Sequence, residues 1–385
     1  MNSQIRIPFA KVSLGNAERK YLQEVLDSGW LTTAGKALEF EKRFAAYVGV
    51  EYACAVNSCT AALHLGIEAL GVQAGDKVFV PSMTFTASAE VIRYMNADPV
   101  LLDTEYGSNL ITPEILQRAI FLNKDVRYLI LVHFGGHPAQ MSEIIELCKK
   151  NNITILEDAA HAFPAQLDGK MIGSFGNITC FSFYANKTIT TGEGGMLVTN
   201  DKRIYERVKT MRLHGINRDI WDRFSSSVPS WEYDVIEAGY KYNMPDINAA
   251  IGLGQLERAE EMRLERQKIA AYYFEALSDI ASIDLPVCKV KMEEHAWHLF
   301  TINLCDDVKL TRNQFIETMS EYGIGTSVHY KPLHQMTYYK QRYKLLPSDY
   351  PIAENIWMRN VSLPIYPYMD EQDMIYIQQT IHEIL

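Results

Sequence analysis

The sequence has no cysteine pair spaced C-x-x-C. Its six cysteines, Cys54, Cys59, Cys148, Cys180, Cys288 and Cys305, are scattered, so neither a structural zinc site nor a disulfide framework is expected. Cys54, Cys148 and Cys180 lie in apolar strand or helix patterns and read as small core residues. There is no run of about 18 uncharged apolar residues, so no membrane-spanning helix is expected. The first residues, Met1-Asn2-Ser3-Gln4-Ile5-Arg6, lack an apolar signal core and a cleavage site, and a cytoplasmic protein is expected. Excess positive charge is missing too. A net charge of −10 argues against nucleic acid as the main partner, yet leaves room for a phosphorylated small molecule, which a few local donors can hold. Neither Gly-x-Gly-x-x-Gly nor a Walker sequence occurs, and no Gly-x-Ser-x-Gly elbow supports serine hydrolysis. The ten histidines form no metal set: His295 and His298 are three apart, but the adjacent Glu293 and Glu294 fit no standard ligand pattern. Internal repeats and low-complexity linkers are also missing.

What is present is a chain of 385 residues, 48% of them apolar, long enough for two domains or for a large domain with a smaller one attached. The first 200 residues alternate apolar strands (77–81, 99–103, 128–133, 153–156) with amphipathic helices (87–95, 112–122, 142–150). The helix at 112 opens on Thr112-Pro113, a cap followed by proline at the first helical position. Such alternation with continuous apolar strands predicts an α/β fold whose mostly parallel sheet is covered on both faces. After Met244 the pattern changes. Residues 245–277 are almost unbroken helix, with room for one long helix or two joined ones. The remainder mixes strands (299–304, 325–330) with helices (311–322, 371–385). This predicts a large domain over 1–250 and a smaller α+β domain over 251–385.

In a doubly wound sheet, ligands gather outside the carboxyl ends of the strands. Three features fall there. A short strand runs into Asn57-Ser58-Cys59-Thr60, where a helix begins; its free N–H groups and hydroxyls could cradle a phosphate, or simply form a capped helix start. Asp158 closes the strand at 153–156 and could pair with a pyridinium nitrogen, or cap a helix; His161 could pack beside the same ring, or be a satisfied buried histidine. Phe85, in the strand end and helix start Pro81-Ser82-Met83-Thr84-Phe85-Thr86-Ala87-Ser88, could stack on a planar cofactor or join the core. The fourth feature is Lys187. It sits in the hydroxyl- and glycine-rich loop between strand-like runs 179–184 and 195–199, with no second lysine or arginine beside it. A lone lysine is ordinarily a solvated surface residue. Here it accompanies a phosphate cradle, a ring shelf and an acid for a ring nitrogen, which together are the parts of a pyridoxal phosphate site.

The chain resembles the DegT/StrS-type sugar aminotransferases, which have the aspartate aminotransferase-like fold (fold type I). The resemblance runs through Ser28-Gly29-Trp30-Leu31-Thr32-Thr33-Ala34-Gly35, Ser58-Cys59-Thr60-Ala61-Ala62-Leu63, Pro81-Ser82-Met83-Thr84-Phe85, Glu157-Asp158-Ala159-Ala160-His161-Ala162 and Gly323-Ile324-Gly325-Thr326-Ser327-Val328-His329-Tyr330-Lys331-Pro332. Its most specific part is Phe181-Ser182-Phe183-Tyr184-Ala185-Asn186-Lys187 with Glu193-Gly194-Gly195. It implies that Lys187 forms the imine link to pyridoxal phosphate and carries the proton. It likewise implies that Asp158 pairs with the pyridine nitrogen, His161 sits near the ring hydroxyl, Phe85 stacks on the ring, and Thr60, Ala61 and Ser182 bind the phosphate. A homodimer with shared sites is implied as well. Family members commonly carry Gly-x-Asn-Tyr-Arg where this chain has Gly239-Tyr240-Lys241-Tyr242-Asn243, so Lys241 replaces the asparagine that reaches the partner's cofactor phosphate; a cation also serves a phosphate.

The implied reaction moves an amino group from L-glutamate, which leaves as 2-oxoglutarate, to a keto carbon, expected to be C4, of a nucleotide-linked sugar. On substrate the motifs divide. Lys241-Tyr242-Asn243 with His295-Ala296-Trp297-His298-Leu299-Phe300 is similar to enzymes acting on a UDP-4-keto-pentose. Tyr184-Ala185-Asn186-Lys187 is similar to perosamine-forming enzymes. His329 and Tyr330 are candidate substrate contacts, or a strand end packed between domains. Arg212, Arg218, Arg223 and Lys331 are unranked candidates for a diphosphate. Two alternatives stand beside this reading: a sugar-nucleotide-binding protein without turnover, and a sugar dehydratase. Dehydratases of the family carry histidine in place of the lysine, and Lys187 argues against that chemistry.

Overall fold

The structure is a computed structural model that describes residues 6–217 and 233–385. Short apolar runs build its centre. Strands β1 (Tyr52–Val56), β2 (Lys77–Pro81), β3 (Asp98–Leu102), β4 (Tyr128–Val132) and β5 (Thr154–Asp158) are followed by a small hairpin, β6 (Gln166–Leu167) and β7 (Lys170–Met171), and then by β8 (Ile178–Ser182) and β9 (Gly195–Thr199). Seven of these form one sheet in the order β1-β9-β8-β5-β4-β2-β3. From β3 to β8 every pairing is parallel; β9 alone runs the other way, antiparallel to both β8 and β1. The strands are buried on both faces, which explains their continuous rather than alternating hydrophobicity. Along β4, Leu129 and Leu131 face one core with Phe44 and Phe181, while Ile130 faces the other with Leu63 and Leu156.

The helices on these faces are α1 (Asn16–Ser28), α2 (Gly35–Val48), α3 (Cys59–Ala69), α4 (Ala87–Tyr94), α5 (Pro113–Leu122), α6 (Met141–Lys150) and α7 (Lys202–Met211). Thr112 caps α5 as the sequence predicts, its hydroxyl accepting the Ile115 N–H with Pro113 next in line. The long helical stretch resolves into two helices, α8 (Asp246–Glu257) and α9 (Ala259–Ala276), parted at Arg258, whose φ of −111° and ψ of 10° leave the helical region. Glycines let α8 approach its neighbours closely. A Cβ on Gly254 would lie 2.5 Å from the Glu18 backbone nitrogen of α1, where no side chain can yield. Gly254→Ala is therefore expected to cost about 1–3 kcal/mol, read as a lowered urea midpoint at unchanged slope.

The C-terminal part contains β10 (Ile283–Asp284), β11 (Phe300–Leu304) and β12 (Asn360–Leu363) in an antiparallel sheet, with α10 (Arg312–Glu321), α11 (Thr337–Tyr343), α12 (Pro351–Arg359) and α13 (Glu371–Ile384). Tyr339 of α11 and Ala353 and Ile356 of α12 join the sheet core of Leu63 and Leu156. Tyr273, Phe300, Phe315, Met319 and Ile377 form a core of their own, with α9 supplying Tyr273. Residue 250, the expected boundary, lies inside α8, which packs on α1 and α2. The chain's start also joins this core. Ile7 bridges Ile324 in parallel, with the Arg6 and Ile7 N–H groups on Gly323 O and the Gly325 N–H on Ile7 O.

The strand expected over 325–330 does not form. Only Ser327 pairs, with Ser362, and the following main chain serves side chains and the sheet edge instead: Asn360 donates to the His329 carbonyl, and the Tyr330 N–H meets Met83 Sδ at 3.4 Å. No helix among the described residues is long and apolar enough to cross a membrane.

Candidate active site

The carboxyl ends of β1, β2, β5 and β8 converge on a cavity of about 400 Å³ whose walls include Ser58, Thr60, Phe85, Asp158, His161, Ser182, Lys187, Glu193, His329 and Tyr330. A larger cavity of about 670 Å³, between residues 304–312 and 347–359, holds none of these groups.

The phosphate-type end is the start of α3. Ser58 caps it, its hydroxyl accepting the Ala61 N–H at 3.1 Å, while the Cys59 and Thr60 N–H groups have no main-chain acceptor among the described residues. Two free N–H groups at the positive end of a helix favour an anion. Gly195, the first residue of β9, packs against this turn so tightly that a Cβ would lie 2.6 Å from the Ser58 carbonyl. Ser182 accepts the Tyr184 N–H at 3.3 Å, which leaves its own hydroxyl proton available to a ligand. Ala61 does not line the cavity, and its N–H already serves the Ser58 cap.

Lys187 is carried on the connection from β8 back to β9. Because those strands are antiparallel neighbours, the loop returns on itself and its base is pinned by Phe183 N–H to Gly194 O and Thr191 N–H to Phe183 O, both 2.9 Å. The Lys187 N–H closes a turn on Tyr184 O at 3.0 Å, and Nζ lies 3.3 Å from His298 Nε2. Burial lowers the affinity of this amine for a proton to a pKa of about 8; Cys59 and Asp158 oppose the shift and Arg266 adds to it.

Asp158 is the last residue of β5, two positions beyond the expected strand end. Ser88 donates to its Oδ2 at 2.7 Å, Ser88 is joined by Thr84 at 2.9 Å, and the Ala160 N–H reaches Oδ1 at 3.1 Å. Burial pushes the carboxyl up, while Ser88, Ala160 and the nearby Lys187 pull it back toward the ionised form. His161 Nδ1 accepts the Gly135 N–H at 3.2 Å, so the network assigns the ring proton to Nε2, which faces Tyr330 Oη at 2.9 Å. Burial also keeps His161 and His298 neutral and lowers His329 to about 3. His329 is fixed through Nδ1 to Ser362 Oγ at 2.8 Å.

Phe85 is 55% exposed on the cavity wall, its ring 5.8 Å from that of Tyr330. An aromatic so exposed adds little to the core and reads as a shelf. Lys241 does not line this cavity. Its segment runs beside the end of β1, and Nζ donates to Asn243 Oδ1 at 2.5 Å. Among the diphosphate candidates, Arg212 is buried in an ion pair with Glu41 and donates to Ala55 O at 2.8 Å, so the core has claimed it. Lys331 is exposed beside Tyr330, and Arg218 and Arg223 lie outside the described residues.

Sequence reasoning missed Ser88 and His298. Ser88 is the second residue of α4 and has no signature of its own. His298 stands in the motif 295–300 but fits no metal set with His295; its signal is a polar residue two positions before the fully buried strand β11.

The donor set fits pyridoxal phosphate: free N–H groups and hydroxyls for its phosphate, an exposed aromatic shelf, a buried carboxylate for its ring nitrogen and a proton-poor amine for its aldehyde. Comparison with known proteins agrees. The family model of DegT/DnrJ/EryC1/StrS aminotransferases matches residues 12–382. The chain is 39% identical over 382 residues to the spore coat polysaccharide biosynthesis protein SpsC of Bacillus subtilis, covering 98% of this chain and 97% of that one. Its structure is similar to Spr1654 of Streptococcus pneumoniae in the PMP form (TM-score 0.90, 30% identity, 99% and 100% coverage). It is equally similar to Helicobacter pylori PseC, an aminotransferase involved in the biosynthesis of pseudoaminic acid (TM-score 0.90, 26% identity, 98% and 98% coverage). The chain belongs to the DegT/DnrJ/EryC1/StrS aminotransferase family and is a pyridoxal phosphate-dependent aminotransferase of fold type I.

Proposed function

We propose that the enzyme moves an amino group from L-glutamate to a keto carbon, C4, of a nucleotide-linked sugar, for surface polysaccharide or glycoconjugate synthesis in the cytoplasm. The observation that carries the reading is Lys187 and Asp158 on the walls of one cavity with the exposed Phe85. The sugar class is supported by the roles of SpsC in polysaccharide and of PseC in pseudoaminic acid synthesis.

When bound, the cofactor supplies an electron sink for the carbon that gains or loses a proton. Lys187 is its attachment point and the base that moves that proton. At pH 7.5 an amine of pKa about 8 is roughly one-quarter neutral, against about one part in a thousand at the ordinary value of 10.5. Asp158, held by Ser88 and Ala160, keeps a negative charge at the ring nitrogen; His161 stands beside the ring, and Phe85 supports one face. The phosphate goes to the Cys59 and Thr60 N–H groups and to the Thr60 and Ser182 hydroxyls, with Ala61 supporting them through the Ser58 cap. His329 and Tyr330 touch the sugar. Lys241, itself exposed and not lining its own cavity, serves the partner's phosphate in a homodimer with shared sites.

Glutamate leaves as 2-oxoglutarate before the keto sugar enters, a two-stage cycle through one cavity. The test is a glutamate-dependent screen across UDP-, GDP- and dTDP-linked 4-keto sugars, with mass spectrometry of the product. One nucleotide class is expected to be aminated, with ping-pong kinetics. Formation of 2-oxoglutarate without amination of any sugar would leave a transaminase and remove the sugar reading. A dehydrated product with no 2-oxoglutarate would overturn both.

A further inference from the structure

Arg266, on α9, is an unusual cation. Its side chain is 2% exposed, and no carboxylate lies within ion-pair distance of it among the described residues. Arg263, one turn earlier on the same helix, shows the ordinary arrangement: it is gripped by Glu260 through two nitrogens and also donates to the Glu293 carbonyl and Gln267. Arg266 instead donates from Nη1 to three main-chain carbonyls, Trp297 at 3.3 Å, His298 at 3.4 Å and Ile365 at 2.9 Å, and its Nε is buried without a partner. A buried guanidinium without a counter-ion is costly to fold around. Carbonyl dipoles soften that cost without cancelling the charge.

The residue it grips is the one that touches the lysine. Arg266 holds the His298 carbonyl, and the His298 ring places Nε2 3.3 Å from Lys187 Nζ. The His298 ring is itself buried and neutral, and its Nδ1 has no partner, so no side-chain bond fixes it from behind. We propose that Arg266 is a positioning residue for Lys187. It anchors the Trp297–His298 backbone that sets the imidazole against the amine, and its uncancelled charge opposes a second cation at Nζ.

The groups around the amine are few. Burial raises the Cys59 thiol at the start of α3 well above its usual range, so it opposes the lysine shift only where it ionises, and burial holds the histidines His161, His298 and His329 uncharged. Asp158 at the end of β5 favours the ammonium; Arg266 disfavours it. Glu193 shares the cavity wall. Removing a nearby positive charge raises the proton affinity of the lysine, so fewer amines are neutral at a given pH.

This inference rests on the proposal that Lys187 is the reacting amine, and the experiment separates the two. Full-length enzyme freed of cofactor is labelled with acetic anhydride across pH 6–10, and acetyl-Lys187 is quantified by mass spectrometry, with circular dichroism to check folding. In parallel, borohydride reduction of the holoenzyme identifies the lysine that carries pyridoxal phosphate. Wild type is expected to give a labelling midpoint near pH 8. Arg266→Gln is expected to raise it by roughly half a unit or more, which lowers labelling at pH 7.5 about threefold. Arg266→Lys, which keeps the charge, is expected to stay within about 0.2 units of wild type. A folded Arg266→Gln protein with an unmoved midpoint overturns the inference, and so does an Arg266→Lys midpoint raised as far as that of glutamine. Should Arg266→Gln not fold, Arg266→Met takes its place, and an unmoved midpoint in that folded variant overturns the inference. If neither folds, Arg266 is a clamp for the fold and the inference fails. Borohydride trapping at a lysine other than 187 instead defeats the proposal about Lys187 itself.

Discussion

Lys187→Ala is expected to lower turnover by at least about 10³-fold, because attachment and proton transfer are lost together. The protein should still fold. The loop is held by main-chain bonds at its base, between Phe183 and both Gly194 and Thr191, and by the Thr190 N–H on Gln255 Oε1 at 3.2 Å, none of which involves the lysine side chain. Removing the ammonium-capable group from a partly buried position also relieves a desolvation cost, so thermal stability should be unchanged or slightly raised. The variant is expected to bind pyridoxal phosphate reversibly through α3, Asp158 and Phe85, and to release it on gel filtration after borohydride treatment, whereas the wild type retains it. Residual turnover within tenfold of wild type would falsify the role of Lys187.

Asp158→Asn should have the second largest effect. The amide is nearly isosteric and can still accept one hydrogen bond through Oδ1, so neither the end of β5 nor the Ala160 turn is disturbed. What disappears is a negative charge in a water-poor site, where charge stabilisation is strongest. The expected result is a fall in kcat on the order of 10²–10³ with a near-wild-type melting temperature. Cofactor affinity, measured by fluorescence titration, should fall as well. Ser88 then faces an amide in place of a carboxylate, so the loss belongs to the charge and not to Ser88. A kcat within about threefold of wild type would show that the ring nitrogen finds its partner elsewhere.

The sheet was legible because its strands are apolar on both faces. The runs at 77–81 and 195–199 match β2 and β9 residue for residue, and the other strands expected in the first 200 residues shift by one or two positions. The break at Arg258 was legible only as one of two options, since a junction of two helices with continuous apolar character carries no proline or glycine to mark it. The strand expected over 325–330 failed for a different reason: beyond the Ser327–Ser362 bridge its main chain meets the side chain of Asn360 and the sulfur of Met83, which periodicity cannot foresee. In the site, residues at strand ends were visible because strand ends are visible. Phe85, Asp158, His161, Ser182 and Lys187 all reach one cavity, together with His329 and Tyr330. Ser88, His298 and Arg266 act through other residues. Each matters only through an atom 70 or more positions away in the chain, or through a neighbour's backbone, and no local pattern records that.

The short bridge at Ile7 has a mechanical consequence. The polypeptide enters the C-terminal core at residue 7, leaves it to build the seven-stranded sheet, and returns through α9. The two parts are therefore joined by two covalent straps, residues 8–15 and the α8–α9 junction, and any swing of one against the other must bend both. The first strap also carries Phe9, whose ring lies 5.4 Å from that of His329 on the cavity wall. Trimming or tagging the chain near its start is thus a change at the mouth of the active site, although it lies nearly 180 residues from the lysine in sequence.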